Sequence, residues 1–170
     1  MKVYLLGYMG SGKSSAGKML AEKMKLTFID FDRYMEEKEG KTIAEIFDTK
    51  GEDKFRELEH HHLKTLLSAQ NVVISLGGGT PCFHNNMELI LANGTSVYLE
   101  MDVETLVKRL AHARNKRPLI RSLNDLELRY FIEANLDKRK SIYEQAHFTI
   151  NGNGLNESEL VEKISEKLKT

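Results

Sequence analysis

Lys13 stands next to last in the stretch GYMGSGKS, residues 7–14, in which glycines recur and a serine follows the lysine. Gly7, Gly12, Lys13 and Ser14 satisfy G-x-x-x-x-G-K-[ST], the spacing at which backbone N–H groups can surround phosphate oxygens. Glycine lets the backbone approach closely, and a helix starting at the lysine would add its positive N-terminal end. Lys13 would then neutralise the phosphate being transferred, and the Ser14 hydroxyl would ligate Mg²⁺. The apolar run Val3–Leu6 before the motif and the helical pattern after it supply the strand–loop–helix context that phosphate binding needs. A plain glycine-rich turn with a solvated lysine is the competing explanation, and that context disfavours it.

A second chemistry-bearing group is FIDFDRYME, where Asp30 and Asp32 stand two apart. In extended backbone, residues i and i+2 point to the same side, so both carboxylates would face the phosphate loop. One can hold Mg²⁺ directly or through water, while the other orients an attacking hydroxyl or takes its proton. Asp32 could equally cap a helix beginning near Arg33. Gly77, Gly78 and Gly79 follow another apolar run, which implies that something approaches that backbone closely. Arg56 and Glu59 are spaced i, i+3 and Arg139 and Tyr143 i, i+4, so surface pairing on helices is the alternative to a binding role for each.

Several patterns lead nowhere. A GTPase needs N-K-x-D, and Asn115-Lys116-Arg117-Pro118 lacks the aspartate; Asp48-Thr49-Lys50-Gly51 follows helical sequence rather than a strand. His60, His61 and His62 diverge by about 100° each on a helix and cannot chelate together, so they read as a solvated face. Cys82 reads as a small apolar filler, and Phe47 and Phe55 as core or ring contacts in equal measure.

Short apolar runs (KVYLL, TFIDF, VVISL, SVYLE, HFTI) alternate with helical segments near 13–24, 85–92, 103–112 and 156–168. That alternation implies βαβ crossovers, a parallel sheet covered by helices on both faces, and a site at the strands' carboxyl ends. Two stretches exceed a simple crossover: a helical one from Asp32 to about Ser68, and the basic AHARNKRPLIRSLND, residues 111–125. Insertions of this kind are usually lids or binding elements.

The 170 residues suit one domain, and 25 basic against 25 acidic side chains give zero formal net charge. No global field draws the chain to nucleic acid or anionic lipid, so an anion site must be local. A single cysteine excludes an internal disulfide, no apolar run approaches a membrane span, and the N-terminus lacks a signal-peptide pattern. A cytoplasmic protein without nucleic-acid or membrane partners is the expectation.

The ordered set GxxGxGKS, D-x-D, F-R-x-x-E (Phe55, Arg56, Glu59), GGG, RPL (Arg117, Pro118, Leu119) and R-x-x-x-Y (Arg139, Tyr143) closely resembles the shikimate kinases, nearly end to end. The resemblance implies an α/β domain over 1–170 with a five-stranded parallel sheet in the order 2-3-1-4-5. It also implies a helical substrate-binding insertion at about 32–60, a lid at about 111–125, and transfer of the γ-phosphate of ATP to the 3-hydroxyl of shikimate, a step toward chorismate and the aromatic amino acids. By the same resemblance Lys13, Asp32 and Arg117 would be catalytic. Gly10, Ser11, Gly12, Lys13, Ser14, Ser15 and Arg117 would bind ATP, and Arg109, on the helix leading into the lid, could stack on adenine as a guanidinium does on flat rings. Asp32, Arg56, Gly77, Gly78, Gly79 and Arg139 would bind shikimate, Arg56 and Arg139 clamping its carboxylate. Ser14 and Asp30 would serve Mg²⁺, with Asp30 behind the metal's direct ligands. A monomer with ATP and shikimate as partners is implied; a related kinase such as one for gluconate, or a catalytically silent nucleotide-binding module, are the rivals. The chain departs from the family pattern at Asn151-Gly152-Asn153-Gly154, where a proline near adenine is common, and at Ser15, where threonine is common.

Overall fold

The computed structural model describes residues 1–117 and 119–169; Pro118 of the RPL motif and Thr170 lie outside them. Five strands, β1 (Lys2–Leu6), β2 (Thr27–Asp30), β3 (Val72–Ser75), β4 (Thr95–Glu100) and β5 (Phe148–Asn151), form one sheet in the order β2-β3-β1-β4-β5. All four pairings are parallel. Among the described residues seven α-helices surround it: α1 (Lys13–Met24), α2 (Phe31–Glu39), α3 (Ile43–Thr65), α4 (Asn86–Asn93), α5 (Val103–Ala113), α6 (Asp125–Tyr143) and α7 (Glu157–Leu168).

The apolar run of β1 is buried on both faces, as a central parallel strand requires. Val3 and Leu5 join Val73, Leu20 and Ile164 on the side of α1 and α7. Tyr4 and Leu6 point the other way, into a cluster with Ile74 of β3 and Met35, Phe55 and Tyr143 from α2, α3 and α6. A third cluster, with Tyr8, Leu106, Leu110, Leu128 and Ile132, locks α5 to α6 behind the phosphate loop. Capping boxes at Thr42–Glu45, Asn124–Glu127 and Asn156–Glu159 set the starts of α3, α6 and α7.

Strand register decides which loops meet. Asp30 at the end of β2 lies opposite Ser75 at the end of β3, and Ser75 lies opposite Leu5 of β1. The phosphate loop, the D-x-D segment and the triple glycine therefore emerge side by side. The 32–68 stretch is two helices, and the second breaks at Gly51 (φ 79, ψ 171), a conformation open essentially to glycine alone. The alternation of strand and helix omits α6, which adds a second helix to the β4–β5 crossover. The described residues of the 111–125 stretch include the end of α5, a short 3₁₀ turn, Arg114–Lys116, and the start of α6.

Candidate active site

The phosphate loop turns through Gly7, Gly10 and Gly12, all at positive φ, and Gly12 (φ 89) caps α1 without a side chain. Lys13 folds back over this loop and is 8% exposed; its ammonium donates to the carbonyls of Gly7 at 2.8 Å and Tyr8 at 2.9 Å. Burial lowers its pKa to about 8, with Asp32 and Asp30 opposing that shift and Arg117 and Arg139 reinforcing it. A lysine so desolvated is held by two neutral carbonyls and gains most from an incoming phosphate.

Beside it, the Ser14 hydroxyl donates to Asp30 Oδ2 at 2.6 Å and lies 3.3 Å from the Ser75 hydroxyl. Asp30 Oδ1 also accepts from the Arg33 N–H at 3.2 Å, so Asp30 is the cap of α2. This removes the alternative in which Asp32 would cap a helix near Arg33: α2 begins at Phe31, and Asp32 lies in its first turn. The two carboxylates still line one cleft, though a strand-to-helix turn brings them together rather than two-residue alternation along a strand. Asp32 is open to the cleft's water, yet the surrounding walls displace enough of it to raise the carboxyl's pKa to about 6. The negative charges of Glu59 and Asp30 push the same way, and Lys13 opposes them.

The cleft holds about 480 Å³ and joins the phosphate loop, Asp30, Asp32, Ser75, Gly77, Gly78 and Arg117. Arg117 already lines it, and its charge is felt at Lys13. Further along the glycine run, beside Gly79, Arg56 is buried rather than displayed on a helix surface. Its guanidinium donates to Glu59 at 2.7 Å and to Glu52 at 3.3 Å, and it stacks 4.0 Å from the Phe83 ring centroid. Glu59, 1% exposed, also accepts from the Thr80 hydroxyl at 2.6 Å. A side chain on Gly79 would begin 2.5 Å from Arg56, and one on Gly77 would begin 2.7 Å from Asp32. The glycines thus leave the room that both groups occupy. Arg139 lies 3.5 Å from where a side chain on Gly78 would begin and 5.7 Å from the Tyr8 ring centroid; the Tyr143 hydroxyl donates to the Gly78 carbonyl at 2.5 Å.

The family model for shikimate kinase matches residues 9–169. The chain belongs to the shikimate kinase family. A relative from Azobacteroides pseudotrichonymphae, named shikimate kinase, is 42% identical over 98% of this chain and 99% of its own length. The crystal structure of shikimate kinase from Bacteroides thetaiotaomicron superposes with a TM-score of 0.95 at 40% identity, covering 100% of this chain and 99% of that one. Shikimate kinase from Acinetobacter baumannii, solved in complex with shikimate, superposes at 0.91 with 34% identity, covering 99% and 92%. A deoxyadenosine kinase from M. mycoides, 16% identical at a TM-score of 0.65, shares the fold.

Within this shikimate kinase framework the remaining expectations find their places. Ser11 is fully buried in the phosphate loop, and the Ser15 hydroxyl donates to the Gly12 carbonyl at 3.2 Å. Exposed Arg109 reaches the outer rim of the phosphate loop, donating to the Gly10 carbonyl at 3.2 Å. Asn151-Gly152-Asn153-Gly154 is braced against α5, because Asn153 Oδ1 accepts from the Asp102 N–H at 2.9 Å. The histidine run is not one solvated face: His62 is buried against Glu39 at 2.8 Å, and His60 bonds Asn86 at 2.7 Å. Phe47 stacks on Phe55 at 4.4 Å as core, and Cys82 is a half-buried filler whose thiol is pushed up to about 11 by burial. Sequence reasoning missed Ser75, Phe83 and Thr80; their only signal was adjacency to the glycine run.

Proposed function

We infer that the chain is a shikimate kinase that transfers the γ-phosphate of ATP to the 3-hydroxyl of shikimate, giving shikimate 3-phosphate and ADP. The observation that carries this is the position of Asp32 in a cleft shared with Lys13, against the start of a glycine run whose following residues approach Arg139 and Arg56. ATP phosphates lie in the loop of Gly10–Ser15, with Lys13 on the transferring group and Arg109 beside the base. The shikimate carboxylate lies between Arg56 and Arg139, which offer planar charge-assisted donors. Arg139 suits this task, since among the described residues no carboxylate is within ion-pairing distance of it. The backbone at Gly77–Gly79 lines the ring and leaves one hydroxyl at Asp32.

Transfer breaks the bond from the γ-phosphorus to the oxygen bridging it to the β-phosphorus and forms a bond to the acceptor oxygen. The acceptor's proton goes to the Asp32 carboxylate, whose raised pKa of about 6 suits proton acceptance near neutrality. Lys13 and Arg117 face the charge spread over the equatorial oxygens, and alignment supplies most of the acceleration. Ser14, Asp30 and Ser75 present hard oxygen donors at the cleft floor, a set that fits Mg²⁺. Ser14 and Asp30 would hold that ion, which would neutralise charge on the β- and γ-phosphates. Residues 111–125 act as the lid and 32–60 as the substrate-binding insertion of a single domain spanning 1–170. The working unit is proposed to be a cytoplasmic monomer; among the described residues no helix is long and apolar enough to cross a membrane.

Phosphorus–proton correlation NMR of the reaction product tests this. Coupling of the new phosphorus to the ring proton at carbon 3 is the expected result; coupling at another carbon would refute the assigned acceptor.

A further inference from the structure

Away from the catalytic cleft, His60 on α3 faces His84, which follows the short Thr80–Cys82 turn. Their ring centroids are 5.0 Å apart and their planes are tilted by 33°. The tautomer of His60 follows from its neighbour. Asn86 is fully buried, and its amide nitrogen donates to the Thr80 carbonyl at 2.7 Å. A carbonyl can only accept, so the amide oxygen of Asn86 must take the remaining bond, 2.7 Å from His60 Nδ1. His60 therefore carries its proton on Nδ1 and leaves Nε2 as a bare lone pair. A histidine whose far nitrogen is fixed by a buried acceptor is the arrangement that prepares an imidazole for a metal.

The spacing agrees. Two imidazoles sharing a tetrahedral cation at metal–nitrogen distances of about 2.0–2.1 Å place their ring centroids about 5 Å apart. His84 holds a left-handed backbone (φ 52), unusual for a residue with a side chain, and that turn points it back toward α3. Glu57, one turn before His60, brings a negative charge close to His84.

We propose that His60 and His84 form a binding site for a borderline divalent transition-metal cation of the zinc, nickel or copper class. Imidazole nitrogen selects these over Mg²⁺, which Ser14 and Asp30 suit instead. Among the described residues no three His, Cys, Asp or Glu side chains gather around one point, so water completes the coordination. A bound cation ties α3 to the 80–86 segment, which carries the Phe83 ring stacked on Arg56.

Calorimetric titration of the nucleotide-free full chain with Zn²⁺, in excess Mg²⁺ to fill the phosphate-side site, reads this directly. One equivalent should bind, and His84→Asn should weaken that binding at least tenfold, while His61→Ala leaves it unchanged. Asparagine accepts a left-handed backbone, so this substitution removes the ligand without straining the turn. In parallel, substoichiometric Cu²⁺ should broaden the imidazole NMR signals of His60 and His84 before those of His61, His112 and His147. Zn²⁺ binding undiminished in His84→Asn, no Zn²⁺ binding to the parent, or Cu²⁺ acting first at the other histidines would overturn the assignment.

Discussion

In the proposed mechanism Asp32 and Arg56 carry the chemistry at the level of single residues, and each makes a distinct prediction. Asp32→Asn keeps size and hydrogen bonding but cannot take a proton. Turnover should fall about 10²–10⁴-fold with ATP affinity nearly unchanged, read from steady-state rates and nucleotide titration. Arg56 is harder to test, because Glu59 beneath it is 1% exposed and truncating the arginine would strand a buried charge, at about 3–5 kcal/mol. Arg56→Lys keeps the charge and loses the planar fork, so the KM for shikimate should rise well above its parent value while the KM for ATP holds; equal effects would refute a carboxylate clamp. The pH profile follows from the same residues. The Asp32 pKa is raised from 3.8 to about 6, so Asp32 gains its proton, and activity is lost, as pH falls through about 6. The Lys13 pKa is lowered from 10.5 to about 8, so kcat/KM for ATP should decline as pH rises through about 8. An acid limb centred near 4 would separate Asp32 from proton transfer.

At the scale of elements, the site depends on two glycine-bearing turns. The kink at Gly51 has open space around it, so a methyl group meets nothing, and the cost of Gly51→Ala is backbone strain alone. Thermal unfolding should report a loss of about 1–3 kcal/mol for that variant, without a matching loss of ATP affinity. Gly79→Ala acts differently: its methyl would displace the Arg56 guanidinium from buried Glu59, so the KM for shikimate should rise together with a loss of stability. The strands and their flanking helices were legible because strand–helix alternation and the phosphate loop both declare themselves locally. The cap on α2 was not: choosing Asp30 over Asp32 depends on where β2 stops, a boundary set by pairing with β3. His62 was misjudged for a similar reason, since its burial comes from Glu39 and Tyr34 on α2, a contact between separate helices. Only the end of α6, at Arg139 and Tyr143, was read as helix; its start was not, because its first turn follows a basic stretch that reads as loop.

For the whole molecule, the order β2-β3-β1-β4-β5 does the assembling: it makes neighbours of loops that are distant in sequence. Lys13, Asp30, Asp32 and Gly77 were each recognisable by type and spacing, whereas the buried Arg56–Glu59–Thr80 network that supports them appears only in three dimensions. The rival kinase reading shares the phosphate loop but has no use for Arg56 and Arg139 beside the glycine run. The most direct test is ADP release by the purified protein with ATP and Mg²⁺, comparing shikimate with gluconate as acceptor. Release that depends on shikimate and stays at background with gluconate is the predicted result; release with gluconate alone, or no dependence on shikimate, would contradict the account.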